Sequence, residues 1–229
     1  MPSIHDEEFG TITVRRTANA RQVKISVAPN GLLRASLPQY TPLLFLRRLI
    51  RRSRTELRAM IAAATPKTEY YDGQQIGKRH MVLITEGTAL DVQLKARRIT
   101  VTLPPTLTIT APIVTARIRE IVIKALRLEA KGYLPKRLAS LADAMGCTYE
   151  RVRFSHASSR WGSCSSTGTI SLNIALMKLP FELIDYVLIH ELAHTRQMNH
   201  SAAFWAIVSE YDPEYSAHKK RLAAETPSI

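Results

Sequence analysis

The sequence predicts an α+β fold in which β-rich blocks with helices precede a helical region, where a His-Glu-x-x-His helix packs on a small antiparallel sheet. Three observations predict it. Short apolar, β-branched runs bounded by Gly and Pro dominate the first half of the chain, helical periodicity takes over after Pro112, and the excess positive charge lies ahead of the histidine motif. Residues 1–65 carry a net charge of +7, residues 66–140 another +7, and residues 141–229 only −1. The chain is therefore read as a basic β-rich part with one long helix, residues 1–111, ahead of a catalytic domain, residues 112–229.

In chain order, Thr11–Arg16, Gln22–Ala28 and Leu32–Leu37 read as strands, and Pro29-Asn30-Gly31 reads as a hairpin turn. Thr41 and Pro42 resemble an N-cap and first helical residue, opening one helix that reaches about Ala64. That helix aligns Leu46, Leu49, Ile50, Leu57, Met60 and Ile61 on one side, and Arg47, Arg51, Arg54 and Arg58 as a basic stripe on another. Strands are expected at Gln75–Thr85, Ala89–Leu94, Arg97–Leu103 and Thr106–Ala111. A long helix then runs to about Met145, kinked near Gly132 and Pro135. Glu150–Ser155 and Thr169–Ile174 read as strands, Pro180 starts a helix to about Gln197, and Ser201 caps another to about Tyr211.

Composition narrows the class. A hydrophobic fraction of 45% with 22% charged residues is that of a soluble globular protein. The opening MPSIHDEEFG is unlike a signal peptide, and the uncharged run Val101–Ala116 is too short and proline-rich to span a membrane, so a cytoplasmic protein without membrane contact is expected. Two cysteines, Cys147 and Cys164, supply neither a disulfide framework nor a four-cysteine zinc site.

The chemistry sits in His190-Glu191-Leu192-Ala193-His194. Histidines four apart are separated by about 40° around a helix, so both imidazoles reach one ion, Zn2+ for this pattern. Glu191 lies beside the pair, placed to take a proton from water rather than to ligate metal. By chance alone this pattern occurs in such a composition on the order of once in a hundred chains. Its setting sharpens it: the helix is apolar nearly all round, and buried histidines and a carboxylate without partners are costly. A third ligand is required; His200 stands six residues past His194, and Glu210 and Glu214 are the rivals. Asn199 is expected to turn the chain with a positive φ, and Asp185 to make a helix-stabilising or supporting hydrogen bond.

A wider set of residues carries a resemblance. Arg160-Trp161-Gly162-Ser163-Cys164-Ser165, then Gly168, Ile170, Leu172-Asn173, Pro180 and Ile184-Asp185-Tyr186-Val187, lead into the motif, and Asn199-His200-Ser201 and Phe204-Trp205 follow it. This run resembles the YgjP-like family of predicted metal-dependent hydrolases, densely over residues 150–222. The resemblance implies a zincin-like catalytic region, His190, His194 and His200 as ligands, Glu191 as base, and Arg160, Trp161 and Cys164 near the site. Asn173, on the strand before the motif helix, is a further candidate neighbour.

The expected function is a zinc-dependent hydrolase, a metallopeptidase acting on peptide or protein substrates, with the Thr169–Ile174 strand as an exposed edge for the substrate. The alternative is a nucleic-acid-associated protein whose hydrolysis is secondary or directed at DNA-bound proteins. Its motive is non-specific phosphate binding by Arg47, Arg51, Arg54 and Arg58.

Overall fold

The computed structural model describes residues 3–18, 20, 22–27, 33–64 and 70–229. The chain forms two compact units, Met1–Lys67 and Thr68–Ile229. The division falls after Lys67 rather than after Ala111, because the second β block shares its core with the long helix: Val82, Ile99 and Val101 cluster with Val114, Ile118 and Leu126.

In the first unit, β1 (Ser3–Asp6), β2 (Gly10–Thr17), β3 (Lys24–Val27) and β4 (Leu33–Pro38) form a sheet in the order β1-β2-β4-β3. β2 and β4 are parallel and the outer pairs antiparallel. Alternation decides the buried face: Ile12 and Val14 on β2, and Leu33, Ala35 and Leu37 on β4, point the same way. Leu46, Ile50 and Leu57 cluster with them. The expected turn at Pro29-Asn30-Gly31 lies outside the described residues. β1 was not foreseen: its four residues are too short for a periodic signal.

The expected single helix is two, α1 (Leu43–Arg52) and α2 (Arg54–Ala64), parted at Ser53. Pro42 is the N-cap rather than the first helical residue. The break undoes the arginine stripe. Arg54 pairs with Asp6 at 3.3 Å and with Glu8, and Arg58 also pairs with Glu8, which leaves Arg47 and Arg51 as exposed positions on the other helix. Four arginines presented to successive phosphates are not what this surface offers.

The second unit opens with β5 (Gln75–Ile76), β6 (His80–Glu86), β7 (Asp91–Lys95) and β8 (Arg98–Leu103), ordered β5-β6-β8-β7 with β6 and β8 parallel. The strand expected at Thr106–Ala111 is a pair of turns, in which Leu107 bonds back to Pro104 and Ala111 to Thr108; prolines at 104 and 105 remove the donors a ladder needs. α3 (Pro112–Met145) runs as one helix through Gly132 and Pro135. Its buried stripe continues across both, from Ala130 through Leu134 to Leu138. It ends at Gly146, whose φ of 60° permits the bond from the Cys147 amide to the Ala142 carbonyl at 3.0 Å. Buried Glu129 ties α3 to the β5–β6 turn, accepting from the Lys78 and Arg79 amides at 2.6 and 2.8 Å and facing His80 Nδ1 at 2.6 Å.

Three further strands, β9 (Arg151–Ser155), β10 (Gly162–Cys164) and β11 (Thr169–Asn173), form a small sheet in the order β10-β11-β9. The sheet is mixed, not antiparallel as expected: β11 runs antiparallel to β10 but parallel to β9. After a 3-10 turn at Ile174–Lys178 come α4 (Phe181–Ala193), α5 (Ala202–Tyr211) and the unforeseen α6 (Tyr215–Ala223). α4 is buried by Leu183, Ile184, Val187, Leu188 and Leu192 and held to α3 by Arg137, both of whose bonds to the Asp185 carboxylate are 2.8 Å. Among the described residues, no helix is long and apolar enough to cross a membrane.

Candidate metal centre

α4 carries His190 and Glu191 on its last turn, and His194 closes it as the C-cap. The chain then reverses within six residues to bring His200 back. Asn199 does this without a positive φ, since among the described non-glycine residues only Ala96 has one. Side chains hold the turn instead: Gln197 donates to Asn199 Oδ1 at 2.8 Å and to Ser201 at 3.2 Å, and Asn199 Oδ1 accepts from the Ser201 amide at 3.3 Å. The outcome is a cluster of His190, His194 and His200 whose ligand atoms all lie within 4.8 Å of one another.

Local chemistry fits a divalent cation. His190 Nε2 and His200 Nε2 are 3.2 Å apart. Two nitrogens on one tetrahedral zinc at ~2.0–2.1 Å are ~3.3 Å apart, so the rings need little adjustment. His194 Nδ1 lies 3.1 Å from the Gln197 carbonyl oxygen, which fixes the proton on Nδ1 and leaves Nε2 as the electron-pair donor. Burial, with His194, His200 and Lys219 nearby, pushes His190 down to about 4, and burial likewise lowers His194; neutral imidazole is the form that ligates. Glu191 Oε2 is buried with no hydrogen-bond partner among the described residues, a cost that a water held by a cation would relieve; His190 Nδ1 is also buried without one, on the side of its ring away from Nε2. Glu210 and Glu214 lie outside this cluster; Glu214 is exposed, its carboxylate 3.9 Å from His218.

Aromatic rings floor the cluster. Phe204, fully buried, has its ring centre 5.0, 4.6 and 4.8 Å from those of His190, His194 and His200. Trp205 stacks on His200 at 5.8 Å. The spacing of α5 puts both residues on this side, and sequence periodicity alone had no means of tying them to the motif.

Glu191 is only 5% exposed, and burial pushes its carboxyl up to about 8, with Arg160 opposing. Gly162 on β10 makes room for it. A Cβ added there would lie 2.5 Å from Glu191 Oε1 and 2.8 Å from its Cγ. Motif spacing could not expose this requirement, because it arises from two segments that meet only in the fold.

The other candidate neighbours have different duties. Asn173 is fully buried; its side-chain amide donates to the Ala157 and Arg160 carbonyls at 2.6 and 2.9 Å, and its Oδ1 accepts from the Ala175 amide. It clamps the loop leading to β10 and has no donor left over. Arg160 is exposed, near enough to Glu191 to stabilise its charge, and Trp161 is half-buried against the core. Cys164 on β10 also feels the Glu191 charge.

β11, expected as an exposed edge, is the central strand; the edges are β9 and β10, and β10 is the one beside Glu191. The Trp161 carbonyl accepts from the Asn173 amide at 2.8 Å and the Ser165 amide donates to Thr169 at 3.0 Å, so alternate residues 161, 163 and 165 face β11. The backbone N–H and C=O of Gly162 and Cys164 therefore point to the open side.

A family described as YgjP-like, metallopeptidase domain, matches residues 21–225. Among solved structures, the metallopeptidase zymogen of Pyrococcus abyssi abylysin is 30% identical over 39% of this chain and 91% of its own, with a TM-score of 0.37. Comparison with curated proteins gives no match.

Proposed function

The chain belongs to the YgjP-like metallopeptidase family, and we propose that it is a zinc-dependent peptidase with His190, His194 and His200 as ligands and Glu191 as general base. The observation that carries this reading is the gathering of three imidazoles, with ligand atoms within 4.8 Å, beside a buried carboxylate. A bound zinc supplies the Lewis acid that polarises a scissile carbonyl and acidifies water.

The rest of the chemistry belongs to the chain. Glu191 accepts the proton from water and delivers it to the departing amine. An extended peptide adds to the open edge of β10, bonding to the backbone of Gly162 and Cys164, which brings its carbonyl alongside Glu191. Arg160 opposes the burial that raises Glu191 and so favours its ionised form, and Asn173 holds Arg160 through its backbone carbonyl. The Phe204 floor excludes water from beneath the imidazoles.

Metal analysis of the isolated or zinc-reconstituted protein tests the reading, with about one zinc per chain expected. His200→Ala is expected to release the metal, whereas Glu210→Ala and Glu214→Ala keep it. A chain that takes up no zinc on reconstitution, or that loses it only in Glu214→Ala, overturns the assignment.

A further inference from the structure

α6 brings a cation to the rim of the histidine cluster. Lys219 Nζ lies 4.3 Å over the Trp205 ring, and Trp205 in turn stacks on His200 at 5.8 Å and on Tyr215 at 5.3 Å. The two distances along the path put the ammonium no farther than about 10 Å from the His200 ring centre.

Lys219 is exposed, and among the described residues it makes no ion pair. Glu182 pairs with Arg221 at 3.0 Å, Asp212 with His218 at 2.8 Å, and Glu214 lies 3.9 Å from His218. Arg160, near Glu191, is likewise exposed and outside any ion pair among the described residues. Arg160 has Glu191 beside it, whereas Lys219 stands at the rim of the cluster with no ion pair among the described residues.

An ammonium resting on an indole keeps its stem ordered and its remaining donors directed outward, so little entropy is lost when it grips an anion. We propose that Lys219, held on Trp205, is a specificity determinant that binds a carboxylate of the peptide substrate, either an Asp or Glu side chain or a free C-terminus. The inference rests on the peptidase reading and adds a substrate class to it.

The test is calorimetric binding to zinc-loaded Glu191→Gln protein, which holds peptides without cleaving them. The probes are end-blocked alanine peptides with one Glu, the same peptides with Gln, and a peptide with a free carboxyl end. One carboxylate peptide is expected to bind about fivefold to tenfold more tightly than its Gln match, with the advantage shrinking as salt rises. Which of the two gains identifies the source of the carboxylate. Lys219→Glu in the same background abolishes the advantage and Lys219→Arg keeps it. Equal binding of all three peptides, an advantage that survives Lys219→Glu, or no binding at all overturns the proposal. Turnover by the protein with Glu191 intact separates the two readings. Hydrolysis without a carboxylate preference sinks the lysine alone, whereas Lys219-dependent binding with no hydrolysis of any peptide supports the lysine and sinks the peptidase.

Discussion

The two β blocks have the same design and different consequences. In each, four strands run in the order first-second-fourth-third, the central pair parallel and the outer pairs antiparallel, with a helical segment following. What differs is the helix. After β4 the chain breaks at Ser53 into two short helices that close a small core of their own. After β8 a single helix of 34 residues extends well past the sheet, and its buried stripe joins the core that holds α4. The same sheet is a self-contained unit in one place and the foundation of a candidate active site in the other. The length of the helix leaving it decides which.

If that contrast is sound, damage in the second unit reaches the chemistry and damage in the first does not. The largest effect is expected from Glu191→Gln, with turnover falling roughly 10³-fold while zinc content and fold persist. Unchanged turnover on a validated substrate would remove Glu191 from the mechanism. Gly162→Ala follows. Its Cβ would force the Glu191 side chain to shift, so kcat should fall by about 10- to 100-fold with metal retained. Wild-type kcat in that variant would mean that the carboxylate does not work from this position.

Leu126→Ala and Leu46→Ala compare the two cores directly. Both residues are fully buried, and each truncation should cost about 3 kcal/mol. Only Leu126→Ala should also weaken zinc binding, as read by competition with a chelator; equal losses of zinc affinity would erase the distinction between the units. The smallest effect is expected from Arg54→Gln with Arg58→Gln, a slight drop in the melting temperature of the first unit. Burial alone would raise Asp6, but the Glu8 and Phe9 amides with Arg54 and Arg51 outweigh it, and Arg58 and Arg54 lower Glu8. Carboxyls with lowered values add stability above their ordinary 3.8 and 4.5, and that stability fades as pH falls through and below them. The variant and parent should therefore converge in acid; a difference that persists there would point away from these pairs.

Much of this was legible because the signals were local. The period-2 alternation of Thr169–Asn173, the apolar girth of α4 and the spacing of His190, Glu191, His194 and His200 needed no tertiary information. The errors were of the opposite kind. Thr106–Ala111 has a strand's composition, yet the prolines before it deny a ladder its donors. Ser53 interrupts a pattern that is periodic on both sides. β10, three residues long, has no periodicity to read, and it is the strand that lies against Glu191. The partition at Lys67 depends on which sheet shares a core with α3, a question that charge distribution does not address.

Phe204 has a consequence for the choice of ion. Three imidazoles pack against this one buried ring, which restrains how far they can spread on that side, so a small, four-coordinate cation is the guest expected of the proposed centre rather than a larger, higher-coordinate one.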